Sequence, residues 1–333
     1  MKLADPPFLP ADCPTLAAAW AASGQLLHAF CTRLEALPPR PIVTLAAAGS
    51  LGRREAHAAS DFDLVAIGGA GPGTAADLAP VFELAAALGL APPKASGIYR
   101  RALPLDELCP PDARGSLDEA PAVFGKRMSL LLDAQPLWAA DAFRSLQRDV
   151  LAWYAAGVVG QVPDAQWDFL LHDLQRYAHA YAGWQAFKFE RDAHDGWLLR
   201  QAKLAGSRLL TFAGLLCLLG ASSTLGRGKL EWVAEQLALT PLQRLQSVMG
   251  GVAPADFALL CADYEALHAR LCDPVHRAQL VASSPASLSE ALSPAPLQAE
   301  ILRLGASLKG RIADFLFARR GEWHPHFFSG LLF

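Results

Sequence analysis

The chain has 333 residues, of which 53% are apolar and 18% charged. Because domains average about 150 residues, this length predicts two domains with sizeable cores, and the apolar content excludes intrinsic disorder. The 29 basic and 32 acidic residues give a net charge of −3, which provides no electrostatic footprint for non-specific binding to nucleic acid.

We expect neither a membrane span nor a secretory signal. The longest apolar stretch, at 209–221, is shorter than the roughly 20 residues that a span needs. The N-terminal MKLADPPFLPADCP carries an early aspartate and several prolines, unlike a signal peptide. None of the six cysteines forms a C-x-x-C pair, and Cys217 and Cys261 lie in apolar helical surroundings typical of reduced, buried thiols. We therefore predict a cytoplasmic protein.

The first 140 residues alternate between helical and strand patterns. Helices are predicted at 14–36 and 75–88, and strands at 42–48, 61–67 and 97–103. The double proline at 38–39 ends the first helix, and the turn-rich GGAGPG follows the second strand. This order predicts a small α/β domain with an N-terminal helix.

From about residue 141 onward the strand patterns vanish. Helices are predicted at 164–191, 196–219, 228–249, 254–272 and 297–319, and the Ser/Pro/Ala-rich segment 282–296 reads as a linker. The fold class is therefore α+β, with a mixed-sheet domain at 1–140 and an all-helical domain at 141–333. The apolar tail PHFFSGLLF could pack on the chain's own core or on a second subunit of a homo-oligomer.

Two features between residues 48 and 67 indicate a site that binds phosphate and metal. Gly49 and Ser50 stand where a strand becomes a helix, a place where backbone N–H groups and the helix dipole can hold a phosphate. Asp61 and Asp63 lie two apart in the next strand, so that both carboxylates face the same side. Two hard oxygen ligands beside a phosphate suit Mg²⁺ or Mn²⁺. This combination predicts nucleotidyl transfer.

A purely structural interpretation exists for each feature alone. Gly49-Ser50 can be a simple turn, and aspartates are common at strand ends. We favour function because the Gly-Ser turn and the D-x-D pair follow one another on neighbouring apolar strands. His57, between them, is expected to be a loop residue, although it could touch substrate.

The segments GSLGRRE and SDFDL resemble the G-[GS]-x-G-R-x-E…S-D-[IF]-D-L pattern of the bacterial uridylyltransferases that modify the nitrogen regulator PII. They are more similar still to uncharacterised relatives in the DNA polymerase β superfamily of nucleotidyltransferases. The resemblance covers about residues 40–145 and specifies a superfamily rather than a substrate. The matching positions are Gly49, Ser50, Gly52, Arg53, Glu55, Ser60, Asp61 and Asp63.

The resemblance implies a third carboxylate, which it places at Asp133. The family's L-L-[DE]-x-R segment becomes Leu131 to Gln135 here, with Gln135 where arginine is usual. A catalytic and metal-binding role for Asp133 and a structural one are equally supported. By the same resemblance, Gly52, Arg53 and Ser60 join Gly49 and Ser50 as nucleotide-binding residues.

One face of the helical half adds basic residues. Arg200, Lys203 and Ser207 share a helix face, and Arg208 lies beside it. This face could bind a triphosphate, or it could be a solvated surface. The stretch also resembles a W-x-x-R-x-x-K-x-x-x-S-R pattern of helical domains attached to such nucleotidyltransferases.

We therefore expect a Mg²⁺- or Mn²⁺-dependent enzyme that transfers a nucleoside monophosphate from a nucleoside triphosphate, with release of pyrophosphate. The acceptor would be a hydroxyl or phosphate of a protein or small molecule, and the near-neutral charge disfavours long nucleic acid. The alternative is a catalytically inactive nucleotide-binding module that acts through a protein partner, which the departure at Gln135 motivates.

Overall fold

The computed structural model describes residues 8–36, 41–69, 75–93, 97–191, 196–282 and 295–332. Within them the chain is α+β, with a four-stranded mixed sheet in the first 138 residues and helices thereafter. Most of the predicted linker at 282–296 lies outside the described residues.

The sheet has the strand order β3-β2-β1-β4. Its central strands β1 and β2 are antiparallel, β4 pairs antiparallel with β1, and β3 pairs in parallel with β2. The strands span Ile42–Ala48 (β1), Asp63–Gly68 (β2), Leu103–Pro104 (β3) and Gln135–Trp138 (β4). The predicted first strand is confirmed over its full length, because its continuous apolar run is buried on both faces.

The predicted third strand at 97–103 was mostly wrong. Ile98–Arg100 forms a 3₁₀ turn, and only Leu103–Pro104 pairs with β2. Strand β4 was missed because Pro136 and its polar neighbours resemble a loop. It tolerates the proline because it is an edge strand.

Helices surround the sheet and fill the second half of the chain. They are α1 Pro14–Leu34, α2 Gly49–Gly52, α3 Ala75–Ala87, α4 Pro121–Leu132, α5 Ala140–Ala155, α6 Asp168–Arg191, α7 Trp197–Lys203, α8 Leu209–Ser222, α9 Lys229–Gln236, α10 Pro241–Met249, α11 Pro254–Cys272, α12 Pro274–Ala282, α13 Pro296–Ala318 and α14 Pro325–Ser329. The predicted helix at 228–249 is thus two helices, and Thr240 begins the second with a capping box to Gln243.

Helices α7 and α8 are joined by a π-helical turn, Leu204–Arg208, into one long helix. Among the described residues it is the only helix long and apolar enough to cross a membrane. In its most apolar window 61% is buried inside the fold, and Gly214 packs against Pro241. These contacts are those of a core helix.

The main apolar cluster spans the sheet and the helices after it. Val65 and Ile67 of β2 belong to the same cluster as Leu215 of α8 and Leu260 of α11. Cys217 and Cys261 are buried and free, as predicted. In the C-terminal tail, Phe327 is buried against this chain's own core. The division into two domains at residue 140 stays a prediction.

Candidate active site

The pairing of β1 with β2 brings the Gly-Ser turn and the aspartates together. Ala48, the last residue of β1, lies opposite Asp63, the first residue of β2. Gly49 follows with a left-handed φ of 66°, and a Cβ there would collide with Oδ2 of Asp63. Only glycine allows the aspartate to lie this close to the backbone, which gives a physical reason for glycine at this position.

A single cavity joins the two halves of the chain at this point. Its lining comes from the α2–β2 connection, from the long helix α7–α8 and from α11. The lining residues are Ser50, Arg53, Glu55, His57, Ser60, Asp61, Asp63, Lys203, Ser207, Arg208, His268 and Leu271. Eight of the residues expected to bind nucleotide or metal therefore line one cavity.

The acidic side of the cavity consists of Asp61 and Asp63. Burial, and then the neighbouring Asp61 carboxylate, raise the pKa of Asp63 from 3.8 to about 6. Arg208 and Arg53 oppose this rise. Two carboxylates forced together in a buried place resist ionisation, and a bound cation would relieve their repulsion.

Three further residues expected to act at the site, Gly52, Arg53 and Asp133, form contacts that hold helices α2 and α4 together. Arg53 is buried and bonds Glu55 at 2.7 Å and Asp133 at 2.8 Å. Burial opposes its charge, but the two carboxylates hold the pKa of Arg53 above its ordinary value. Asp133 does not line the cavity, and Gly52 packs its Cα onto the backbone of Asp133 and Ala47. This ion-pair cluster fixes the short helix α2 against the end of α4.

The basic side of the cavity comes from the π-helical turn. Such turns recur at functional sites because the extra residue re-aims side chains on one helix face. Here Ser207 and Arg208, inside the turn, and Lys203, just before it, all line the cavity. Burial lowers the pKa of Lys203. Burial also opposes the charge of Arg208, but Tyr181 and then Asp133 outweigh it and hold the pKa of Arg208 well above the ordinary value. Arg200, one turn earlier, does not line the cavity.

Sequence reasoning missed the contribution of helices α11 and α12. His268 and Leu271 lie on the buried face of α11, where a histidine among leucines reads as a core residue. Arg277 of α12 reaches the α2–β2 connection, where its NH1 lies 3.4 Å from His57 Nε2. Burial and this arginine lower the pKa of His57 to about 4, so that its imidazole is neutral at physiological pH.

Asp61 and Asp63 are the residues that could hold a divalent cation. In the described part of the chain, no three or more His, Cys, Asp or Glu side chains are grouped to hold a metal by themselves. Mg²⁺ is commonly bound through one or two carboxylates together with substrate phosphates and water. The donor set therefore fits a cation that binds together with a phosphate.

No family model matches the chain, and no curated protein matches it either.

Proposed function

We propose that this chain is a nucleotidyltransferase of the DNA polymerase β type, dependent on Mg²⁺ or Mn²⁺. It would transfer a nucleoside monophosphate from a nucleoside triphosphate to a hydroxyl or phosphate of a protein or small molecule. The observation that supports this most strongly is the cavity in which Asp61 and Asp63 face Lys203 and Arg208. The resemblance of the GSLGRRE and SDFDL segments to PII uridylyltransferases supports the same assignment.

In this proposal the acidic residues of the cavity bind the cation, and the basic residues bind the phosphates. Asp61 and Asp63 would bind the cation, which when bound neutralises the triphosphate and stabilises the leaving pyrophosphate. Lys203 and Arg208 would hold the phosphates, with the hydroxyls of Ser50 and Ser207 beside them. The acceptor oxygen would attack the α-phosphorus, the bond from that phosphorus to the bridging oxygen of the β-phosphate would break, and pyrophosphate would leave. Where the acceptor is a hydroxyl, its proton would pass to water.

The cavity is suited to phosphates. Of its lining residues only Leu271 is apolar, and the others are charged or polar. We propose a cytoplasmic location, where nucleoside triphosphates are available. The proposed acceptor is a protein or a small molecule.

The test is Mg²⁺-dependent release of pyrophosphate from nucleoside triphosphates, compared between the wild type and two variants. Asp61→Asn and Asp63→Asn keep the side-chain shape and remove the charge, and we expect each to lower the rate by at least about a hundredfold. Asp314→Asn, on the exposed face of α13, is the matched control and keeps the wild-type rate. Turnover that survives in Asp61→Asn and Asp63→Asn would contradict the assignment.

One observation favours the second candidate, a nucleotide-binding module without turnover. Asp133, the third carboxylate implied by the resemblance, is bonded to Arg53 and does not line the cavity. Its Oδ2 lies 2.8 Å from Arg53 and 3.9 Å from Arg208, so this carboxylate is engaged by two arginines. Tight Mg²⁺-dependent binding of a nucleoside triphosphate, without pyrophosphate release in the presence of candidate acceptors, would support this candidate.

A further inference from the structure

Helix α12 brings Arg277 to the edge of the cavity, next to His57. Nη1 of Arg277 lies 3.4 Å from Nε2 of His57 and 3.5 Å from the carbonyl oxygen of Leu271, and both of these partners line the cavity. Nη2 lies 3.4 Å from the carbonyl oxygen of Ala59, in the α2–β2 connection. Arg277 and His57 are both half-buried. The pair therefore joins α12 to the connection that carries Asp61.

The imidazole of His57 faces a hydrogen-bond donor at each of its two nitrogen atoms. The backbone N–H of Ala59 is directed at Nδ1, at 3.2 Å, and the guanidinium of Arg277 is directed at Nε2. A neutral imidazole carries a hydrogen on one of these nitrogens, and a protonated imidazole carries one on both. In every protonation state, therefore, at least one N–H of His57 points at another N–H. This contact lacks an acceptor, which polar groups in native proteins normally have.

The guanidinium of Arg277 is only loosely engaged by the protein. Within the described part of the chain its hydrogen-bond partners are the His57 ring and two carbonyl groups, at 3.4 to 3.5 Å, and none is a carboxylate. By contrast, Arg53 bonds Glu55 and Asp133 at 2.7 and 2.8 Å. The planar fork of a guanidinium matches the oxygens of a phosphate. Arg277 therefore has a charge and donors to offer to an anion.

Lys203 adds a second positive charge near Arg277. Burial lowers the pKa of Lys203, Asp61 opposes this change, and the like charge of Arg277 adds to it. Burial also lowers the pKa of Arg277, which Asp61 again opposes. Two cations and an N–H without an acceptor are thus within electrostatic reach of Asp61. A phosphate that contacts both these donors and a cation on Asp61 would suit this arrangement.

We propose that His57 and Arg277 together bind the terminal phosphate of the donor nucleoside triphosphate. This inference rests on the proposed function, in which the reacting α-phosphate lies at the cation held by Asp61 and Asp63. The nucleoside is uncharged, whereas the terminal phosphate carries the most negative charge, so this basic edge suits the terminal phosphate. Its oxygens accept from Nε2–H of His57 and from the guanidinium of Arg277. Nδ1 then accepts from the N–H of Ala59, and the conflict at the ring is removed.

The test compares a nucleoside triphosphate with its own diphosphate. The full chain is titrated calorimetrically in Mg²⁺ with ATP, GTP, CTP and UTP, and the one that binds most tightly is then compared with its diphosphate. Arg277→Gln and His57→Leu each weaken binding of the triphosphate by about tenfold or more, the range of one hydrogen bond to a charged group. Both variants leave binding of the diphosphate within about twofold of wild type. Arg303→Gln, on the exposed face of α13, is the matched control and changes neither affinity.

A purely structural role for the pair predicts a different pattern. It would weaken binding of the triphosphate and the diphosphate alike and would lower the urea midpoint of the nucleotide-free protein, which Arg277→Gln is expected to leave unchanged because the lost contacts are long. Equal weakening of both nucleotides, or unchanged binding of the triphosphate in both variants, would overturn the inference while the proposed function stands. The same holds if the wild type binds the two nucleotides equally. If the wild type binds no nucleoside triphosphate, both proposals fall.

Discussion

At the scale of single residues, Asp63 shows how function and stability oppose each other. Its carboxylate lies against the Cα of Gly49 and beside Asp61, and its pKa is raised to about 6. In the folded protein without metal, this group holds a proton at pH values where the unfolded chain has lost it. The unfolding free energy therefore falls as the pH rises from about 4 to about 6, and the full cost persists above that range.

We predict that Asp63→Asn stabilises the metal-free protein at pH 7.5. A pKa raised from 3.8 to about 6 corresponds to a cost of up to about 3 kcal/mol in the wild type. The amide avoids this cost. At pH 4 the advantage falls to about 0.5 kcal/mol, because the folded wild type is then almost fully protonated at Asp63 and the unfolded chain is about two-fifths protonated there. Urea unfolding with a chelator at the two pH values measures the difference.

The exposed Asp314→Asn should change the unfolding free energy by less than about 0.5 kcal/mol at either pH. A loss of stability in Asp63→Asn that is equal at pH 4 and 7.5 would show that Asp63 is not a strained carboxylate. Adding Mg²⁺ should reverse the ranking at pH 7.5, since only the wild type keeps the cation ligand.

At the scale of elements, the sequence predicts those strands and helices that local residue patterns determine. The buried run Ile42–Ala48 predicts β1, and the D-x-D spacing predicts that the two aspartates face the same cavity. The second strand was predicted from residue 61, but β2 begins at Asp63. The π-helical turn Leu204–Arg208 is not predictable, because an extra residue in a helix leaves no periodicity of its own over one turn. It was decisive for the site, since it brings Arg208 to the cavity beside Ser207. Strand β4 depends on pairing with a partner 90 residues away.

The turn from β1 into α2 gives a prediction at this scale. Gly49→Ala meets two obstacles, a φ of 66° and a collision with the Asp63 carboxylate. Gly89→Ala, after α3, meets only the first, because its φ is 79° and no atom lies within 4 Å of the added Cβ. We expect a loss of about 1 kcal/mol for Gly89→Ala and about 2–3 kcal/mol for Gly49→Ala in urea unfolding. Equal losses would mean that Asp63 moves aside without cost.

At the scale of the whole molecule, buried polar contacts join helix α10 to helix α4 of the first half of the chain. Arg244 of α10 is fully buried and donates to the carbonyls of Leu131 and Leu132 at the end of α4, at 2.7 and 2.8 Å. It also donates to Leu237 and Leu239. Arg244, distant in sequence, thus bonds the carbonyls just before Asp133. No local motif could reveal this, because the two partners are over 100 residues apart.

We predict that Arg244→Met destabilises the whole chain in one cooperative transition. The substitution leaves several buried carbonyls without donors, which should cost about 3–5 kcal/mol. Because the apolar cluster also crosses between the sheet and the helices, far-UV circular dichroism and tryptophan fluorescence should report the same midpoint in urea, for the variant as for the wild type. Arg303→Met, on the exposed face of α13, is the control and should remain within about 0.5 kcal/mol of wild type. Separate midpoints for the two probes would show instead that the sheet and the helices unfold independently, and that Arg244 only stabilises the helix in which it lies.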